Sequence, residues 1–80
     1  MEIEVLAFGI VKDIFGNSAI KMAVDEGATA GALRTAMQDK YPRLKQLASF
    51  MIAVDNEYAD NDRILKSGDE IAIIPPVSGG

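Results

Sequence analysis

The sequence predicts an α+β fold in which a mixed sheet of four to five strands wraps one main helix. Its 80 residues allow one domain with a modest core. Short alternating apolar stretches near both ends predict strands, and one longer stretch between them has apolar residues at helical spacing. Only three Phe and two Tyr residues are aromatic, so the core is expected to be mainly aliphatic.

The first third of the chain predicts a strand, a short helix and a second strand. Residues 2–8 are rich in β-branched and large apolar side chains, and the alternation of a strand places Ile3, Val5 and Ala7 on one face and Leu6 and Phe8 on the other. Apolar residues in the segment 10–15 fall at helical spacing, and Gly16 follows where a helix would end. Residues 19–24 predict the second strand, which ends before Glu26-Gly27.

The clearest helix of the chain begins after Thr29, whose side chain is a favourable N-cap. Pro42 is expected to end this helix or to restart a final turn. The apolar residues that recur at intervals of three and four are Ala30, Leu33, Met37, Tyr41 and Leu44.

The remaining sequence predicts three more strands. Residues 50–54 form the third strand, and Asp55-Asn56 makes a turn into a short partner at 57–59. Ile64 and Leu65 are expected to act as apolar anchors of the next loop. The last strand covers residues 70–74.

This order of elements is that of a β-grasp, the ubiquitin-like roll in which a twisted sheet holds one helix. In that topology the first and last strands are parallel neighbours. The end of the last strand should therefore lie near the centre of the sheet rather than at an edge.

The predicted sheet has one apolar face with nothing to cover it. If Ile3, Val5 and Ala7 face the helix, alternation sends Phe8 and Ile74 to the opposite side of the sheet. Together with Tyr58 they predict a partner interface. The alternative is that they are ordinary isolated apolar surface residues.

The composition excludes several classes of function. The formal net charge of −4 disfavours binding to nucleic acid or to an anionic membrane. There is no cysteine and no histidine, so thiol nucleophiles, thiolate metal sites and the usual general base are absent. No secretory signal or long apolar segment is evident, which predicts a cytoplasmic protein.

The end of the sequence is its most distinctive part. We expect a domain over residues 1–76 and an extended tail over 77–80, stiffened at its root by two prolines that fix their own φ angles. A terminal carboxylate on glycine could be activated by ATP and then attacked by a nitrogen or sulfur nucleophile, with no Cβ to obstruct a narrow channel. The alternative is a disordered terminus. The predicted tail-threading residues are Pro75, Pro76, Val77, Ser78 and Gly79, and the reacting residue is Gly80.

Taken together, these segments resemble the MoaD and ThiS family of ubiquitin-like sulfur carriers. The resemblance extends along the whole chain, and the diproline ending is more similar to the MoaD branch, the small subunits of molybdopterin synthase. The segments that carry it are Leu6-Ala7-Phe8, Gly16, Gly27-Ala28-Thr29, Lys40-Tyr41-Pro42, Val54-Asp55-Asn56-Glu57-Tyr58 and residues 68–80.

The resemblance implies a non-catalytic carrier whose terminal glycine, Gly80, becomes an acyl-adenylate and then a thiocarboxylate. The implied partners are an adenylating enzyme related to ubiquitin activators, a sulfurtransferase or cysteine desulfurase system, and a MoaE-like large subunit of molybdopterin synthase. In that large subunit, sulfur would pass to cyclic pyranopterin monophosphate within a complex of two small and two large subunits. No cofactor would be permanently bound, no metal is implied, and ATP would be consumed by the adenylating partner.

Three alternatives remain open. The chain could supply sulfur for thiamin thiazole formation, although Pro75-Pro76 argues against that branch. It could be a protein modifier that forms an isopeptide bond through Gly80. It could also be an interaction module that uses only the apolar sheet face.

Overall fold

The structure is a computed structural model that describes residues 1–47 and 50–75. The predicted order of elements is confirmed, with strand boundaries that differ by at most one residue. The strands are β1 (Glu2–Ala7), β2 (Ala19–Ala23), β3 (Met51–Val54), β4 (Glu57–Tyr58) and β5 (Glu70–Ile74), and the helices are α1 (Ile10–Phe15), α2 (Ala30–Lys40) and a 3₁₀ helix (Pro42–Gln46).

The five strands form one mixed sheet in the order β2-β1-β5-β3-β4. Strands β1 and β5 are parallel, and the other three neighbouring pairs are antiparallel. This confirms the predicted fold class and the predicted central position of the last strand. The chain therefore leaves β5 between two hydrogen-bonded neighbours.

Alternation along the strands sends one set of side chains to a core shared with α2. On β1, Ile3 and Val5 are almost fully buried, and on β5 Ile71 and Ile73 have no exposed surface. From α2 the core receives Ala30, Leu33 and Met37. The buried side chains of the strands, which recur every second residue, and those of α2, which recur every three or four residues, thus lie on the same side of the sheet.

The ends of α2 follow from local chemistry. The Thr29 side-chain oxygen accepts a hydrogen bond from the Ala32 backbone N–H at 3.2 Å, so Thr29 is the N-cap as predicted. The helix ends at Lys40, and Pro42 begins the 3₁₀ helix that buries Leu44. The predicted restart after Pro42 is confirmed.

One of the two predicted anchors in the loop before β5 is wrong. Leu65 is buried, but Ile64 is 55% exposed. The backbone of Ile64 bridges to Thr29, and consecutive residues of extended chain point to opposite sides. Only one of the two neighbouring apolar side chains can therefore reach the core.

The β3–β4 turn adopts an unusual backbone without glycine. Asp55 and Asn56 both have positive φ, 51° and 70°, as the tight hairpin turn of type I′ requires. The turn is also tied to β5, because the Asp55 side chain accepts a hydrogen bond from the Glu70 N–H at 2.9 Å. In return, the Asp55 N–H donates to the Glu70 carbonyl at 2.8 Å. Asp and Asn tolerate this conformation better than other side chains do.

Within residues 1–47 and 50–75, no helix is long and apolar enough to cross a membrane.

Candidate functional site

The sheet face opposite α2 contains a shallow depression of about 360 Å³. It lies over β5, β3 and β4, on the face of the sheet whose side chains do not enter the core. The depression is lined by Phe8, Ala53, Asn56, Tyr58, Glu70, Ala72 and Ile74. We call this surface the apolar depression.

The three residues predicted as a partner interface all line the apolar depression. Phe8 is 51% exposed and Tyr58 is 67% exposed. Ile74 is half-buried. Large apolar side chains that are adjacent and exposed are typical of surfaces that bind another molecule. The structure thus brings together residues that are distant in the sequence, and their role as an interface stays a prediction.

Sequence reasoning missed the contribution of β3 to this face. Met51 is 44% exposed and lies opposite Ile74 in the antiparallel ladder. Ala53 lies between Ala72 of β5 and Tyr58 of β4. The alternation of β3 carried the necessary signal, because Ile52 and Val54 face the core and the residues between them must face outward. A small residue at position 53 leaves room for the depression.

The polar groups that line the depression do not form a catalytic arrangement. They are the Tyr58 hydroxyl, the Asn56 amide and the Glu70 carboxylate. None of these is a nucleophile paired with a base, and burial of apolar surface is the main interaction that this face offers. Within the described part of the chain, the site is suited to binding rather than catalysis.

The depression lies next to the point where the chain leaves the sheet. Because β1 and β5 are parallel neighbours, their C-terminal ends lie side by side, and the Phe8-Gly9 connection lies beside Pro75. Gly9 has φ 56° and ψ −131°, a conformation that is open to glycine and costly for other residues. A Cβ atom on Gly9 would lie 3.2 Å from Cγ of Pro75. Gly9 therefore allows close approach of the chain to the root of the tail, a feature that sequence reasoning did not detect.

Of the predicted tail-threading residues, Pro75 is described and half-buried. Both the boundary at residue 76 and the proposed tail over 77–80 lie outside the described residues. The predicted site residues that lie outside the described part of the chain are Pro76, Val77, Ser78, Gly79 and Gly80.

Comparison with known proteins gives a consistent assignment. A curated relative, the molybdopterin synthase sulfur carrier subunit of Dictyostelium discoideum, is 37% identical, and the match covers 99% of this chain and 96% of the relative. Among solved structures, SAMP1 from Haloferax volcanii has a TM-score of 0.84 at 26% identity, with full coverage of both chains. A chain of the complex of subunits 1 and 2 of molybdopterin-converting factor from Helicobacter pylori has a TM-score of 0.70 at 30% identity, also with full coverage of both.

The family pattern described as "ThiS family" matches residues 5–80. The matched segment includes the predicted sulfur-carrying end of the sequence, the second half of β1 and the other four strands of the sheet. With the β-grasp topology and the full-length relatives, this match shows that the chain belongs to the ThiS family.

Proposed function

We propose that this protein is the sulfur carrier subunit of a molybdopterin synthase and works in the cytoplasm. The observation that carries the proposal is the placement of β5, a central strand whose last residue, Ile74, lines the apolar depression just before the proposed tail. The full-length similarity to the sulfur carrier subunits of Dictyostelium discoideum and Escherichia coli, at 37% and 35% identity, supports the same assignment.

The proposed chemistry takes place at Gly80. Its carboxylate attacks the α-phosphorus of ATP on an adenylating enzyme, and pyrophosphate leaves. A persulfide from a sulfurtransferase or cysteine desulfurase system then attacks the acyl carbon and displaces AMP. After reductive cleavage of the sulfur–sulfur bond by a thiol, the chain carries a thiocarboxylate. The carrier supplies the acyl group, and its partners supply the acids, bases and thiols.

Sulfur delivery would occur on the large subunit of the synthase. The thiocarboxylate sulfur attacks a carbon of cyclic pyranopterin monophosphate and displaces an oxygen substituent of that carbon, which gives a thioester. Water then attacks the thioester carbonyl, so that the sulfur stays on the substrate and Gly80 leaves as a carboxylate. Two such transfers supply the two sulfur atoms of molybdopterin. From Val77 to Gly80, an extended chain spans at most about 14 Å, which suits an active site below the partner's surface.

The apolar depression would hold the large subunit while the tail reacts. Phe8→Asp places a charge on the exposed apolar face, and we expect it to weaken binding of the purified large subunit by at least about tenfold. Ile64→Asp is the matched control, because Ile64 is also an exposed apolar residue but lies outside the depression. Equal affinities of the two variants, both correctly folded by circular dichroism, would contradict this role of the depression.

Intact-protein mass spectrometry tests the chemistry directly. After incubation with ATP, the adenylating enzyme and a sulfur donor, the chain should gain the mass difference between one sulfur and one oxygen atom, located at Gly80. A chain with one alanine appended after Gly80 is the control and should gain nothing. Absence of the thiocarboxylate in the unmodified chain, or its presence in the extended one, would refute the assignment.

Protein modification is a second candidate function. SAMP1 from Haloferax volcanii, a small archaeal modifier protein, has the same fold with a TM-score of 0.84. Both functions begin with adenylation of the terminal glycine, so the same chain could enter either route. Covalent conjugates of higher mass on a denaturing gel, lost when Gly79 and Gly80 are deleted, would support modification.

A further inference from the structure

The outer face of the sheet is divided into an apolar end and an acidic end. At the apolar end Leu6 of β1 lies opposite Ala72 of β5. Two residues earlier on both strands, Glu4 lies opposite Glu70, and on its other side Glu4 lies opposite Lys21 of β2. The same face therefore changes from apolar to charged side chains within two residues along each strand.

A second depression, of about 440 Å³, covers the acidic end. Its charged lining comprises four carboxylates and a single ammonium group, a formal charge of −3 in a molecule whose total is −4. The residues that line it are Glu2, Ile3, Glu4, Lys21, Gly68, Asp69 and Glu70. Most of the chain's excess negative charge thus lies on one small part of the surface.

Glu70 joins the two depressions, because it lines both. Its side chain is exposed, as is that of Glu4 beside it. Two like charges directly opposite each other on neighbouring strands destabilise a sheet. This sequence keeps the unfavourable pair at the boundary of the apolar depression, where a cationic side chain from another protein would relieve it.

We propose that the large subunit of the synthase binds both ends of this face and places a row of lysine or arginine side chains on Glu4 and Glu70. The inference rests on the proposed function and adds to it the chemistry of the partner. The apolar depression provides burial, and the acidic end provides attraction at longer range, which raises the association rate and sets the orientation of the carrier. A partner that approached in the reversed orientation would place its basic row over the apolar end.

The test is a charge reversal, Glu70→Lys, compared with Asp39→Lys. Both variants change the net charge by the same amount, and Asp39 lies on exposed surface of α2 that lines neither depression. Association with the purified large subunit is measured by surface plasmon resonance at low and high salt. At low salt, Glu70→Lys should lower the association rate by about fivefold or more and Asp39→Lys by less than about twofold. High salt should reduce the difference between them.

Thermal unfolding of the same variants separates a binding defect from a folding defect. Glu70→Lys replaces the repulsive pair with Glu4 by an attractive one, so its Tm should equal or exceed that of the unmodified chain. A stable variant that binds poorly supports the inference. Glu4→Gln is a second variant, which removes one carboxylate without adding a cation that would repel the basic side chains of the large subunit. It should bind the large subunit more weakly than the unmodified chain does.

Two results would overturn the inference, and they have different meanings. If the unmodified chain binds the large subunit but Glu70→Lys and Asp39→Lys associate at the same rate, the basic row is absent and the proposed function stands. If the unmodified chain does not bind the large subunit at all, both the inference and the proposed partner are wrong. Formation of the Gly80 thiocarboxylate, measured separately, then decides whether the chain is still a sulfur carrier.

Discussion

Replacement of Gly9 by alanine tests how the fold positions the root of the tail. The backbone of Gly9, with φ 56° and ψ −131°, would hold alanine in a conformation that costs about 1–3 kcal/mol. Alanine also restricts the unfolded chain, which offsets about 0.4–1 kcal/mol of this cost. The expected net loss is about 1–2 kcal/mol in the free energy of unfolding.

The new methyl group would also contact the tail. Its position 3.2 Å from Cγ of Pro75 is closer than ordinary van der Waals contact, so Pro75 or the Gly9 backbone must shift. Because Pro75 begins the segment that leads to the proposed reacting residue, we expect slower thiocarboxylate formation as well as lower stability. The effect on the rate should be present at temperatures well below the Tm.

Gly16→Ala is the matched control for this experiment. Gly16 also has a positive φ, 78°, but a Cβ atom there would meet nothing within 4 Å. Differential scanning calorimetry should show a lower Tm for both variants, by roughly 4–8 °C for each kcal/mol lost. Only Gly9→Ala should slow thiocarboxylate formation. An unchanged Tm for Gly9→Ala would refute the backbone argument, and equal rates for the two variants would refute the contact with the tail.

Three further substitutions test other contacts, each by urea denaturation. Gly31→Ala improves intrinsic helix propensity by about 1 kcal/mol, but its Cβ would lie 3.0 Å from Cβ of Asn61, so we expect a net loss of stability, and a gain would contradict the reasoning. Arg34→Lys should lower the free energy of unfolding by about 1–2 kcal/mol, because the Arg34 guanidinium donates to the Phe50 carbonyl at 2.8 Å and lies 4.5 Å from the centroid of the Phe50 ring. Unchanged stability would show that the positive charge alone is sufficient. Asn56→Gly should stabilise the chain by up to about 1 kcal/mol, since glycine adopts a φ of 70° without strain, and a loss would show that the Asn56 side chain contributes to the turn.

The sequence predicted most of the fold because its signals are local. Strand alternation in residues 2–8 and 70–74, the Thr29 cap and the Pro42 break each depend on neighbours within a few positions. The turn at Asp55-Asn56 was predicted in place but not in type. Two consecutive residues with positive φ follow from the twist of the strands on either side, which a short sequence window does not contain.

The prediction of the partner interface depended on which face of the sheet each side chain occupies, and it was less complete than the prediction of the fold. Phe8, Tyr58 and Ile74 were placed on the correct face, since alternation and the expected pairing were enough to assign them. The exposure of Met51 depends on its register opposite Ile74, and that register was not predicted. Ile64 was misassigned because an apolar side chain next to a buried one can point outward.

The sequence by itself determined the elements, their order and the family resemblance. Hydrophobic periodicity, helix caps and the Gly79-Gly80 motif each depend only on residues that are close together in the sequence. Only the tertiary structure decided that Gly9 lies against Pro75 and that Glu70 borders both depressions. Both facts arise from the parallel pairing of β1 with β5, which places Glu4 opposite Glu70 at one end of the two strands and Gly9 beside Pro75 at the other. Contacts of this kind are set by strand register across more than sixty residues, and no local pattern specifies them.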